Sequence, residues 1–251
     1  MSRAQEIIAA DIGNTSMTLA AVRGARVGRA FDISSQASVQ DVHDALEKRR
    51  VNTRLPLVIA SVNPRADTVL ELAWRALTEA PITVLGRDLV VPIPNKTRPP
   101  GQTGQDRLVG ALAARARRGK DAIVVDFGTA ITFDVLRGGA YEGGVITPGI
   151  GLAMEALHQK TALLPLVHPR GKPPIVGHDT VSAINAGVYY GYIGLVENIL
   201  RELLKTYRRK PPVLATGGYG AHIAPKIKAI DEVVPNLTHE GIALAWNAAQ
   251  K

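Results

Sequence analysis

Residues 7–24 read IIAADIGNTSMTLAAVRG and residues 122–138 read AIVVDFGTAITFDVLRG. Each segment is an apolar run, then Asp-x-Gly, then a hydroxyl-bearing residue, then a second alternating run that closes on Arg-Gly. Asp11 matches Asp126, and Gly13 matches Gly128. β-Branched runs with period-two alternation predict strands. The glycine and polar residues between them predict a tight hairpin. A chain that carries this hairpin twice is expected to form two domains of one architecture.

Both halves continue in the same way. After the first hairpin the pattern predicts a third strand, Val27 to Ile33, and a helix near Val39–Arg49. A strand (Leu55–Ser61), a helix (Arg65–Glu79) and a strand (Ile82–Leu85) follow. After the second hairpin come a strand at Gly143–Ile146, a helix around Leu152–Leu157 and a long helix near Val181–Arg208. A strand (Val213–Thr216), a short helix, a strand (Glu232–Val234) and a final helix (His239–Ala249) complete the chain. Strands alternating with helices after an initial meander imply the α/β class. The division is expected near Gly119, giving an N-terminal domain over 1–118 and a C-terminal domain over 119–251. Two proline-bearing stretches, Gly86–Thr103 and Leu164–Asp179, read as loops. Loops of that length are often functional.

Composition narrows the function classes. With 251 residues, 46% of them hydrophobic, the chain can bury one large core or two medium ones. It has no cysteine, which excludes disulfides, thiolate metal sites and a cysteine nucleophile. The apolar run Ile7–Ala10 is too short for a signal peptide and is closed by Asp11. No apolar stretch approaches the ~18 residues of a membrane span. A cytoplasmic protein without a membrane partner is expected. The net charge of +8 suits an anionic partner or a solvated basic surface. The densest basic cluster, Arg115–Lys120, ends a predicted helix, where cations complement the helix dipole without any ligand. Aromatics at 4% argue against a base-stacking nucleic-acid surface. The six histidines show no metal-ligand spacing.

The hairpins also carry chemistry. In Asp11-Ile12-Gly13-Asn14-Thr15-Ser16 the glycine lets backbone N–H groups approach an anion. Asn14, Thr15 and Ser16 add side-chain donors, and Asp11 at a strand end can hold hydrated Mg²⁺. These are ordinary turn residues too, so the repeat at Asp126-Phe127-Gly128-Thr129-Ala130 decides: two such hairpins facing each other would clamp phosphates. Leu214-Ala215-Thr216-Gly217-Gly218-Tyr219-Gly220 runs from a strand into a glycine pair and a helix. It is either a plain strand-to-helix turn or a place where adenine and ribose lie on bare backbone. Gly104-Gln105-Asp106-Arg107 opens a predicted helix, Asp106–Arg117, where Asp106 could serve as a cap. Gly187, Gly191 and Gly194 share one face of the long helix. Each costs roughly 1 kcal/mol there, which suggests that another helix approaches closely.

The two Asp-x-Gly hairpins followed by the glycine pair resemble the actin-like and sugar-kinase superfamily. That resemblance implies paired RNase H-like domains with ATP in the cleft between them. Within it, Gly104–Arg107, Gly143–Gly149, Gly177-His178-Asp179-Thr180 and Pro235–Gly241, with Asp11–Thr15 and Asp126–Ala130, look like the motifs of type III pantothenate kinases. The resemblance implies phosphorylation of pantothenate by ATP, the first step of coenzyme A synthesis. It makes Asp106 the catalytic base and puts Gly104, Gln105, Asp106, Arg107 and Thr180 at the pantothenate site. Arg107 could pair with the substrate carboxylate. ATP is expected on Asp11, Ile12, Gly13, Asn14, Thr15, Ser16, Met17 and Thr18, with Thr129, Gly217 and Gly218. Asp11 would serve Mg²⁺, and Asp126 a monovalent cation, potassium or ammonium. Because phosphoryl transfer depends mostly on positioning, Asp106 need not be strongly perturbed. The resemblance also implies a homodimer, so the glycine face is assigned to the dimer, with packing inside the subunit as the alternative. Gln105 and Gly110 depart from the alanine and asparagine usual there. The alternative function is a regulatory nucleotide-binding protein, a transcription accessory factor of the same fold.

Overall fold

The computed structural model describes residues 5–168 and 171–250. It is an α/β structure with two sheets; the first lies in one compact unit, and the second lies in the other except for Leu136–Gly143, where β8 turns into β9.

The first unit opens with β1 (Glu6–Ile12) and β2 (Ser16–Arg23), antiparallel and closing on the Ile12–Met17 pair. The Gly13 N–H donates to the Ser16 carbonyl at 2.9 Å. The expected third strand, Val27 to Ile33, is two pieces: β3 (Arg26–Val27) and β4 (Phe31–Ser34). Both pair with β2, but Val27 faces Val22 whereas Phe31 faces Leu19, so the register slips by one residue between them. The Gly28 N–H donates to the Ala21 carbonyl at 2.8 Å within this interruption. An extra residue of this kind is a bulge, which bends a strand and ends its pairing.

Helix α1 (Val39–Lys48) starts on a reciprocal Ser38–Asp41 capping box. β5 (Leu57–Ser61) runs parallel to β1. α2 (Pro64–Leu77) begins with an Asn63 cap and proline at its first turn, the position where a missing N–H costs nothing. β6 (Ile82–Val84) completes the sheet, whose order is β3-β2-β1-β5-β6 with β4 also on β2. After a long loop comes α3 (Gln105–Arg118). The core of this unit gathers Ile12, Met17, Leu19, Ile59 and Trp74, all fully buried. Each such side chain contributes on the order of 1.5–3 kcal/mol.

The second sheet holds β7 (Ala122–Phe127), β8 (Ala130–Arg137), β9 (Ala140–Pro148), β10 (Val213–Thr216) and β11 (Glu232–Val233) in the order β11-β10-β7-β8-β9. β9 is longer than the stretch expected from Gly143–Ile146. Helices α4 (Ile150–Gln159), α5 (Thr180–Lys205) and α6 (Gly220–Ile223) accompany it. Its core is built on Phe127, Phe133, Val196 and Leu200. No helix among the described residues is long and apolar enough to cross a membrane.

The last helix, α7 (Leu237–Ala249), joins the first unit, as do Leu136–Gly143. The reason lies in its residues. A Cβ on Gly241 would overlap the Val109 carbonyl, so only a glycine lets α7 lie this close to α3. Arg117 meets Glu240 with two bonds of 2.7 and 2.6 Å. His239 sits 3.1 Å from the Thr18 carbonyl, so its Nε2 carries the proton and donates. Burial lowers the pKa of that imidazole, and it is neutral there. Arg115 donates to the carbonyls of Gly139 and Pro92. Part of the basic cluster is thus taken up by internal contacts.

Candidate active site

In the first unit Asp11 ends β1, between Thr18 of β2 and Ala60 of β5. The turn beyond it exposes Asn14 and Thr15. Ser35, a buried residue that sequence reasoning did not single out, braces this turn. Its hydroxyl donates to the Gly13 carbonyl at 2.8 Å, and its N–H donates to the Thr15 carbonyl at 3.0 Å. Ile12 and Met17, also expected among the ATP-binding residues, have side chains fully buried in the core. They can offer a ligand only backbone. Thr18 is occupied as well: its hydroxyl donates to Asp32 at 2.6 Å.

The strand ends of this unit also position Gly104–Arg107. The Val62 N–H, just past β5, donates to the Ile12 carbonyl at 3.0 Å. A methyl of Val62 would lie 3.1 Å from a Cβ on Gly104. The start of α3 therefore rests beside the first hairpin. The cap of α3 is Gly104, not Asp106, and it makes no side-chain cap bond. Asp106 lies inside the first turn, and its Oδ1 accepts from the Arg107 N–H at 2.8 Å. The Arg107 guanidinium stands 5.7 Å above the ring of Tyr141, which is fully buried. Gln105 packs over Gly86, 2.6 Å from where a Cβ there would be. The loop leading into Gly104 is tied by Asn95, which bonds the Pro100 carbonyl, Thr97 and Thr103. Backbone bonds between Pro94, Lys96 and Tyr141 fix it to β9. Asn95 carried no signal beyond its place in a proline-rich stretch.

Burial raises the Asp106 pKa above the ordinary aspartate value. The Arg107 N–H and the Arg107 charge oppose this but do not overcome it. Removing water from the carboxylate thus outweighs its bonds.

The second unit holds the other group. Asp126 pairs with Thr216 at the ends of β7 and β10. Gly217 has φ +87°, and a Cβ on it would overlap Asp126 Oδ1 and the Phe127 backbone. Gly218 has open space around it. The Gly149 N–H donates to the Thr129 carbonyl at 2.9 Å, and a Cβ on Gly149 would overlap the Gly128 and Thr129 carbonyls. Asp126, Thr129, Gly149, Gly217 and Gly218 thus form one cluster. Thr180 is exposed at the first turn of α5, and the cap there is Asp179, in a reciprocal box with Ser182. Gly177 is pressed against the backbone of Ser182 and Ala183. Close packing and capping therefore account for Gly177 and Asp179. Among the described residues one group with metal-ligand potential, His43, Asp44 and Glu47, lies along α1, where no metal spacing was expected. Its carboxylates are exposed, and the group is a set of helix-surface pairs.

The sequence model of type III pantothenate kinases matches residues 7–202. The type III pantothenate kinase of Dehalococcoides mccartyi strain 195 is 34% identical over 98% of this chain and 99% of its own length. That of Anaeromyxobacter sp. strain K is 37% identical over 95% and 97%. The chain belongs to the type III pantothenate kinase family. The matched span contains both hairpins, Gly104–Arg107 and Thr180. Gly217, Gly218 and Pro235–Gly241 lie beyond it but within the length shared with the Dehalococcoides mccartyi relative. The fold is shared more widely. A ROK family glucokinase from Streptomyces griseus, solved with glucose and AMPPNP, matches with a TM-score of 0.55 at 12% identity, over 96% of this chain and 99% of that one. A Campylobacter jejuni protein described as a conserved Baf family transcriptional activator matches with a TM-score of 0.62 at 17% identity, over 97% and 99%.

Proposed function

We propose that this type III pantothenate kinase family member transfers the γ-phosphate of ATP to the primary alcohol of pantothenate, with Asp106 as the base. The observation that carries this reading is the Asp106 carboxylate. It is partly buried, held at the start of α3 by the Arg107 N–H, and raised in pKa by burial. The alcohol proton passes to that carboxylate as the alcohol oxygen bonds to phosphorus. The bond from phosphorus to the bridging oxygen breaks, and ADP leaves with the electron pair. The transition state is loose, so most acceleration comes from position and charge neutralisation. The base adds about 10²–10⁴-fold.

Other groups have supporting roles in this reading. Arg107, oriented by Tyr141, receives the pantothenate carboxylate, and Gln105 and Thr180 add contacts. Backbone N–H groups near Gly13 and Gly128, with Asn14, Thr15, Ser16 and Thr129, hold phosphates. The carboxylates of Asp11 and Asp126 are hard oxygen donors of the kind Mg²⁺ takes, and when bound the ion neutralises phosphate charge. Asp126 also suits a monovalent cation, potassium or ammonium. The working unit is a homodimer through α5, and the protein acts in the cytoplasm. A coupled ADP-release assay tests the reaction. Release is expected with pantothenate and not with sugars, and the opposite pattern overturns the reading.

A further inference from the structure

The loop before α3 closes on itself through one side chain. Asn95 Oδ1 accepts from the Thr97 N–H at 3.0 Å and from the Thr97 hydroxyl at 2.9 Å. Its Nδ2 donates to the Pro100 carbonyl at 3.1 Å and to the Thr103 hydroxyl at 3.2 Å. The Thr97 N–H can only donate and the Pro100 carbonyl can only accept, so the amide has a single orientation. The contact of 2.7 Å between the Thr97 and Thr103 hydroxyls then has a single direction as well. Thr97 gives its proton to Asn95, so Thr103 donates to Thr97. Asn95, Thr103 and Thr97 form a closed, directional ring, in which each bond strengthens the next.

A side chain fills this role because the backbone there lacks donors. Pro99 and Pro100 carry no N–H. The segment's own backbone bonds are long, from Gln102 to Pro99 at 3.2 Å and from Thr103 to Pro100 at 3.3 Å. On either side of Asn95 the chain is firmly fixed within the first unit. The Tyr141 N–H donates to the Pro94 carbonyl at 2.8 Å, and the Lys96 N–H donates to the Tyr141 carbonyl at 2.9 Å. The same Tyr141 lies under the Arg107 guanidinium. Farther along, α3 is held against α7 where Val109 meets Gly241. Thr103–Asp106 joins these two fixed parts, and within it the Asp106 carboxylate fills the space beside Gly104.

We infer that Asn95 is a positioning residue for the transfer: through Thr103 it fixes Gly104, and so the Asp106 carboxylate, to the strand of Tyr141 that also orients Arg107. The inference rests on the reading of Asp106 as the base. A substrate held by Arg107 and a base held through Asn95 then share one frame, and their separation is set before the substrate arrives. Loss of the ring leaves Arg107 over Tyr141 and α3 against α7, but it releases Thr103 from its anchor. Substrate binding persists while the base loses its place. A 1 Å misplacement of a reacting group costs up to about 10²-fold, so the loss falls on kcat.

Steady-state ADP release by Asn95→Ala, alone and combined with Asp106→Asn, tests this. Asn95→Ala should lower kcat about tenfold. The KM values for pantothenate and ATP should stay within about twofold of the wild type. In the Asp106→Asn background no base is left to place, so adding Asn95→Ala should change kcat by less than about twofold. Circular dichroism establishes that each variant is folded. The same loss in both backgrounds, wild-type kcat in folded Asn95→Ala, or a loss confined to KM overturns the inference. If Asn95→Ala does not fold, two changes at Thr103 carry the test. Thr103→Val removes the ring hydroxyl and should be slow, whereas Thr103→Ser restores it and should recover most of kcat. Wild-type turnover by Thr103→Val, or equal losses in the two variants, overturns the inference. Full turnover by Asp106→Asn alone overturns the base reading and the role of Asn95 with it, whereas additive losses overturn only the role of Asn95.

Discussion

The Asp106 carboxylate occupies the space that a side chain on Gly104 would take. Gly104 has φ −56°, a value any residue adopts, so its bareness serves space and not backbone geometry. Gly104→Ala should push the short Asp106 side chain aside without breaking α3. A 1 Å displacement of a reacting group can cost about 10²-fold. We expect kcat to fall by about that factor, with the melting temperature nearly unchanged. Unaltered turnover in a folded Gly104→Ala would show that the Asp106 position is not critical.

Asp106→Asn keeps an acceptor for the Arg107 N–H but removes the base. Turnover should fall at least about 10²-fold. Stability should move the other way. Burial raises the Asp106 pKa, so the unfolded chain holds its carboxylate more readily as the anion. The ionised group therefore costs stability above its folded pKa, and the cost vanishes below about 3.9, where both states are protonated. Asp106→Asn should thus be more stable than the wild type at pH 7, with the gap closing in acid. For the same reason the acid limb of wild-type kcat/KM should lie above the ordinary aspartate value. Thermal melts across pH and a pH–rate profile check both signs. A gap that widens on acidification would contradict the burial argument.

Gly217 and Gly218 separate structure from binding. Gly217→Ala meets a positive φ and the Asp126 carboxylate together. Overpacking of this kind costs about 1–3 kcal/mol, so the melting temperature should drop. Gly218→Ala has open space and should melt like the wild type. With the nucleotide lying on the bare backbone of Gly218, that variant should still bind ATP several-fold more weakly. Unchanged ATP affinity in Gly218→Ala would reduce the second glycine to a turn residue.

What could be read from the sequence was local. The two hairpins, the α/β class and most element positions follow from periodicity over a few residues, and β10 falls on Val213–Thr216 as expected. What was missed depends on residues far apart in the chain. Nothing near Gly28 signals that β3 and β4 are offset on β2. The join of α7 to the first unit rests on Gly241 against Val109 and His239 against Thr18, pairs that no local pattern connects. Thr180 and Asp179 both suit a cap, and the choice depends on Ser182 lying three residues after Asp179. The core burial of Ile12 and Met17 follows from strand alternation, and it leaves their backbone as the part a ligand can meet.

The glycine face of α5 gives the last prediction. Gly187, Gly191 and Gly194 are exposed, and a Cβ on any of them would meet nothing within 4 Å. Packing within the described subunit therefore does not explain them, although each weakens the helix by roughly 1 kcal/mol. A second copy meeting this face would explain why small residues are kept there. Gly191→Leu should then be harmless to the monomer, because the leucine enters open space and improves helix propensity. At a helix–helix contact the same leucine should overpack by about 1–3 kcal/mol and split a marginal dimer. Thr180 lies on the same helix, so loss of the dimer should also lower turnover. Light scattering, circular dichroism and the ADP-release assay read the three effects separately. A folded, monomeric and weakly active variant is expected. One that remains dimeric with full activity would remove the interface from this face.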